Sequence, residues 1–162
     1  MACRRTSRRE VNYGEQRLRL LPLSRFKGSP RYWRIIDVTV PGTFLELSEL
    51  QFLAGATVIS GTYTSNVAPT NPISRLSDGL LNASCYWTQA QAQNAAFYIQ
   101  IDAGAAGASV NGVKQGGFDN SSRTMTAFTL QSSVDGLSWV TVGSKSGLAY
   151  PGNNTLSVTY TF

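Results

Sequence analysis

From Tyr32 onward, apolar and polar residues alternate in short stretches separated by turn-forming clusters. Phe97, Ile99 and Ile101 alternate with Tyr98, Gln100 and Asp102; Thr126, Phe128, Leu130 and Ser132 alternate with Ala127, Thr129 and Gln131. At the end of the chain, Leu156, Val158, Tyr160 and Phe162 alternate with Ser157, Thr159 and Thr161. A period of two with one apolar face marks strands that cover a core on one side and meet water on the other. The same reading predicts strands over residues 33–40, 47–53, 58–64, 110–116 and 139–142. Asp135-Gly136 supplies the positive φ that a tight hairpin needs, so the strands ending near Ser132 and starting near Trp139 are expected to be antiparallel neighbours.

No stretch of ten or more residues carries a 3.6-residue apolar period. Residues 89–96 tolerate a helix by composition but lack an apolar stripe, and read as loop or a single turn. About eight short strands with turn signals and almost no helix predict an all-β fold, an antiparallel β-sandwich or jelly roll. The 162 residues amount to one domain with room for an appended segment. No apolar run approaches the ~20 residues of a membrane-spanning helix.

Charge divides the chain. Residues 1–34 hold ten cations against Glu10 and Glu15, a net +8, whereas residues 35–162 hold four cations against seven acids, a net −3. The pattern is a basic arm, residues 1–28, joined to a near-neutral lobe, residues 29–162. The arm lacks the apolar stretch of roughly 7–15 residues that a secretory signal requires, because Arg19 and Pro22 break the segment from Leu18 to Leu23. So few large apolar side chains cannot offset the entropy of ordering so cationic a segment. An ordered arm therefore needs a partner, or else lies across its own lobe with Leu18, Leu20, Leu21, Leu23 and Phe26 as anchors. Arg4, Arg5, Arg8, Arg9, Arg17 and Arg19 are the docking candidates. Arginine suits bidentate contacts with carboxylates of a neighbouring subunit. Nucleic acid is the less favoured partner, since aromatic interleaving is limited to Tyr13 before Phe26.

Histidine is absent. That excludes His-assisted nucleophiles, His-ligated zinc or haem, and imidazole pH switches. General acid–base work would fall to scattered carboxylates, of which Asp37, Asp78, Asp102 and Asp135 have turn or solvent-face readings, so no catalytic residue is expected. Gly116-Gly117 lacks the Lys-Ser/Thr end of a phosphate loop. Cys3 and Cys85 allow at most one bridge and read as reduced.

Five segments, in order and spacing, resemble the discoidin (coagulation-factor type C) family: Tyr32-Trp33-Arg34-Ile35; Leu47-Ser48-Glu49-Leu50-Gln51-Phe52; Ser77-Asp78-Gly79 followed by Trp87; Phe97 to Gly104; and Phe128 to Trp139. The resemblance covers residues 29–162 and is closest to compact bacterial and bacteriophage versions. It implies an eight-stranded jelly roll that binds a glycan, lipid head group or protein with loops at one end, often with a structural calcium. Two features depart from the family. Cys3 and Cys85 do not match its end-joining disulfide, and the sequence does not identify the apolar spikes and basic rim of the phospholipid-binding members. Trp33 and Trp139 read as core anchors. Asp78 reads as a turn residue and is the weak candidate for a calcium ligand; calcium takes about six to eight oxygens from several loops.

The ligand candidates are Phe118, Asp119, Asn120 and Arg123, in a Gly-rich stretch where an aromatic face lies beside amide, carboxylate and guanidinium groups, as sugar recognition requires. The same stretch also reads as an ordinary polar loop; residues 65–75 and 86–94 are further candidates. The expectation is a non-enzymatic structural and interaction protein, a bacteriophage virion component such as a capsid accessory or a tail or baseplate piece. The arm would fasten it to other virion subunits or to copies of itself, with localisation to the particle, no membrane insertion and no required cofactor. The alternative is a carbohydrate-binding module for a cell-surface glycan.

Overall fold

The computed structural model of the chain describes residues 28–162; the docking candidates Arg4, Arg5, Arg8, Arg9, Arg17 and Arg19, with Cys3, lie outside them. The described residues are almost wholly β, in antiparallel sheets arranged as a sandwich compatible with a jelly roll. In chain order the strands are β1 (Tyr32–Thr39), β2 (Phe44–Leu47), β3 (Leu50–Ala54), β4 (Thr57–Val58), β5 (Thr62–Ser65), β6 (Cys85–Thr88), β7 (Ile99–Asp102), β8 (Gly112–Gly117), β9 (Ala127–Ser133), β10 (Val140–Ser146), β11 (Thr155–Leu156) and β12 (Tyr160–Thr161). One sheet runs β10-β9-β1-β7-β5; a second runs β11-β8-β3-β4, with β12 also on β8; β2 and β6 form a third pair.

The alternation explains the core. On β1, Trp33 and Ile35 are buried, the phase shifts at Asp37, whose φ is 50°, and Val38, with Val40 just past the strand's end, turns inward again. Ile99 and Ile101 of β7 and Phe128 and Leu130 of β9 meet them from the same sheet. Across the interior, Phe52 of β3 stacks at a tilt on Tyr63 of β5, and Phe128 meets Tyr160 of β12 edge-on. Gln115 on β8 is fully buried, which an amide tolerates only when its hydrogen bonds are satisfied. Its Nε2 donates to the Met125 carbonyl and the Tyr160 hydroxyl, and its Oε1 accepts from the Met125 amide.

The predicted hairpin is present: β9 and β10 pair antiparallel, Val140 opposite Ser132. Asp135 accepts from the amides of Leu137 and Ser138 and from the Ser133 hydroxyl, which hold its carboxyl down at about 2, and Gly136 takes φ 75°. Residues 89–92 form the single turn, α1 (Gln89–Ala92), closed by a capping box between Thr88 and Gln91.

Three expectations are corrected. Trp139 is not a core anchor: it lies half-buried with the Arg34 guanidinium 3.9 Å from its ring centroid. Residues 86–88 are strand rather than loop, because Cys85 and Trp87 bury one face of β6. The last stretch does not alternate without interruption. β11 and β12 share β8 as partner but their registers differ by one residue, so a bulge between Leu156 and Tyr160 turns Ser157 inward and leaves Val158 77% exposed. Cys85 is free and buried, its thiol pushed up to about 12 by desolvation.

Ile101→Ala is expected to cost about 2–5 kcal/mol in urea unfolding, the cost of a core cavity, whereas Val158→Ser should stay within about 0.5 kcal/mol of wild type. A loss at Val158 as large as that at Ile101 would refute the bulge and restore the uninterrupted alternation.

Candidate functional site

The site is built on β2. Its four residues, Phe44-Leu45-Glu46-Leu47, alternate, so Leu45 and Leu47 go to the core together with Trp87 and Cys85 of the paired β6. Phe44 and Glu46 are left on the other face, where Glu46 is directly opposite Tyr86. The rings of Phe44 and Tyr86 meet edge-to-face with centroids 5.6 Å apart.

Arg123 arrives from the loop between β8 and β9. The loop is stitched to the chain ahead of it by the Glu46 amide donating to the Arg123 carbonyl and the Gly42 amide donating to the Ser122 carbonyl. This places an Arg123 terminal nitrogen 2.7 Å from Glu46 Oε2 and the guanidinium 5.5 Å from the centroid of Phe44. Glu46 is only 6% exposed, and its second oxygen accepts from the Ser84 hydroxyl at 2.7 Å. The Ser84 carbonyl in turn accepts from Arg75 and Asn71. Phe44, Glu46, Tyr86 and Arg123 together line an open cleft of about 230 Å³.

A second loop adjoins the first. Gly117 ends β8 where any side chain would collide with Tyr150, Pro151 and the Gly152 carbonyl, so glycine lets residues 150–152 lie against the strand. Tyr150 is near enough to Asp119 and Glu46 for their charges to raise its hydroxyl pKa, with desolvation the larger cause.

Of the four ligand candidates, Arg123 lies in the cleft and Asp119 stands beside it, 3.5 Å from the guanidinium. Asn120 is exposed but spends its amide oxygen on the Ser122 amide and hydroxyl, shaping the turn. Phe118 is half-buried, its carbonyl accepting from the Asn154 amide, and it does not line the cleft. Phe44, Glu46 and Tyr150 were not singled out in the sequence, and Tyr86 only as one end of a candidate stretch. The available signal was the pattern of β2: an aromatic and an acid two residues apart, between leucines that must be buried.

Asp78 is in a turn, its Oδ1 accepting from the Leu80 amide. The neighbouring acid is Glu49, almost fully buried, which accepts from the Gly79 amide. Desolvation raises the Glu49 pKa, and the Asp78 charge adds to the shift. The two carboxylates would give a cation some of its oxygens; among the described residues no group of three or more His, Cys, Asp or Glu gathers. No helix of the described residues is long and apolar enough to cross a membrane. Comparison with known protein families, curated proteins and solved structures finds no match to this chain.

Removing Arg123 leaves a desolvated carboxylate with one neutral donor. Arg123→Ala should destabilise the fold by about 1–3 kcal/mol, and Glu46→Gln combined with Arg123→Ala should cost less than the two single changes added together. Strictly additive losses in urea titrations would mean that the two side chains do not hold each other.

Proposed function

We propose that this chain is a non-enzymatic structural and interaction protein of a bacteriophage virion, fastened through residues 1–28 and displaying a discoidin-like lobe whose cleft binds a saccharide. The observation that carries the recognition half is the cleft itself. Phe44 and Tyr86 offer apolar ring surface to the C–H face of a sugar, while Arg123, Asp119 and Glu46 offer donors and acceptors to its hydroxyls. Both carboxylates near the cleft are engaged with one guanidinium. A glycosidase needs one carboxyl protonated and a second free to attack or to activate water. The arrangement therefore favours binding over hydrolysis.

The attachment half rests on charge. A segment of net +6, residues 1–28, ahead of a lobe of net −1 suits Arg-to-carboxylate docking on a neighbouring subunit, and a small recognition lobe on a long anchor suits a part repeated by symmetry in a particle. A free carbohydrate-binding module for a cell-surface glycan would use the same cleft and differs only in what the arm does. The two readings separate on deletion of residues 1–28. A virion component keeps its sugar affinity but no longer joins particles; a free module loses neither property that it had. In the full chain, Tyr86→Ala should weaken saccharide binding about five- to thirty-fold on a glycan array, since an aromatic contact at a ligand site contributes on the order of 1–2 kcal/mol. Undiminished array signal in that variant removes the cleft from the proposal.

Structural calcium belongs to the same reading, with Glu49 and Asp78 as its side-chain ligands and backbone oxygens completing the shell. Calcium is then expected to raise Tm, and Glu49→Gln to abolish the rise. An identical Tm in calcium and in chelator argues that the two acids serve the turn alone.

A further inference from the structure

The alternation that fills the core also sets the outer face of the five-stranded sheet. With Ile35, Tyr63, Ile99, Ile101 and Leu130 turned inward, the residues between them point away from the core. The pairing registers align five of these outward residues straight across the sheet: Thr64 on β5, Gln100 on β7, Arg34 on β1, Gln131 on β9 and Thr141 on β10. At about 4.8 Å per strand the row is roughly 19 Å long. A cation stands at its centre with an amide on either side.

Arg34 is held in place on this face. Its Nε donates to Gln131 Oε1 at 2.9 Å, and Gln131 Nε2 donates in turn to the Thr141 hydroxyl. The guanidinium lies 3.9 Å from the centroid of the Trp139 ring and 5.5 Å from that of Tyr98. What it lacks is a counter-ion. Arg31 is paired with Asp102, and Arg123 with Glu46 and Asp119, whereas no carboxylate of the described residues lies within ion-pair distance of Arg34. Its terminal nitrogens likewise have no acceptor among the described residues. Desolvation lowers its pKa, with only the Tyr98 phenol acting against that shift.

A fixed, partly desolvated guanidinium with its Nη edge free is a fork shaped for a carboxylate. One positive charge balances one carboxylate and would leave a phosphate, with about −1.5 to −2 of charge, only part-neutralised. The rest of the row offers amides and hydroxyls, which suit a polyhydroxylated ligand, and no apolar centre such as a protein partner would bury. We infer that the outer face of the five-stranded sheet binds an acidic saccharide, a uronic or sialic acid, whose carboxylate sits on the Nη edge of Arg34 and whose hydroxyls meet Gln100 and Gln131. Gln131 is the positioning residue, since it fixes the guanidinium through Nε. The site shares no residue with the cleft of Phe44, Glu46, Tyr86 and Arg123 and does not depend on it.

Trp139 reports on the site, because Trp33 and Trp87 are buried. Titration of the full chain with sodium glucuronate or N-acetylneuraminate should change tryptophan emission saturably and move the backbone amide resonances of Arg34, Gln100, Gln131 and Trp139. Glucose should bind at least about ten-fold more weakly than the acidic sugar. Arg34→Gln should weaken the acidic sugar by a similar factor, the loss expected for a charge-assisted hydrogen-bonded pair. Tyr86→Ala, in the cleft, should leave that affinity unchanged. Silence of both acidic sugars overturns the inference, as does glucose or inorganic phosphate binding as tightly as they do. Resonance shifts confined to Phe44, Tyr86 and Arg123 also overturn it, by placing the acid in the cleft. The resonances are read on the unaltered chain, so the outcome stands whether or not Arg34→Gln folds.

Discussion

A carboxylate enclosed almost completely by protein is tolerated only with charged and hydrogen-bonding partners in place, and Glu46 imposes that condition on three separate parts of the chain. The loop carrying Arg123 must lie along β2, Ser84 must sit at the start of β6, and Arg75 and Asn71 must hold the Ser84 carbonyl. Each requirement draws a connecting segment onto the outer face of the β2–β6 pair. The cleft is what these constraints leave between them: two aromatic rings contributed by the strands, a guanidinium contributed by a loop, and a carboxylate beneath.

The rest of the lobe keeps this outer face in register. Leu45, Leu47, Cys85 and Trp87 anchor the back of the same pair in the core, so Phe44 and Glu46 cannot turn inward without exposing leucine. Gln115 acts in a similar way on the neighbouring strand, binding Met125 and Tyr160 through a fully satisfied buried amide. Because Met125 follows Arg123 by two residues, that clamp also fixes where the cleft loop rejoins the core. Gly117 does the same for the loop bearing Tyr150, by steric permission rather than by attraction.

On the proposed reading, binding and attachment are separated along the chain. The cleft belongs to a face formed by β2, β6 and two loops. β1, which the basic arm precedes in sequence, belongs to the five-stranded sheet. On that reading, a lobe with its cleft and its attachment point on different strands would engage a ligand while it is held.

Period-two alternation, the Asp-Gly hairpin and the +8/−3 charge split were legible in the residues alone, because each depends only on neighbours a few positions apart. Those local patterns determined an all-β antiparallel lobe, the β9–β10 hairpin, and the burial of Trp33, Ile99, Ile101, Phe128 and Leu130. The tertiary structure decided the rest. Phe44, Glu46 and Tyr86 meet Arg123 only after strands and loops distant in sequence are laid side by side, up to 79 positions apart in the ladder-and-loop contacts of this face. Trp139 lies half-buried against the Arg34 guanidinium and outside the core, and one bulged residue exchanged Ser157 for Val158. In each case the outcome turned on pairing register and long-range charge, and neither is encoded in the periodicity of a single segment.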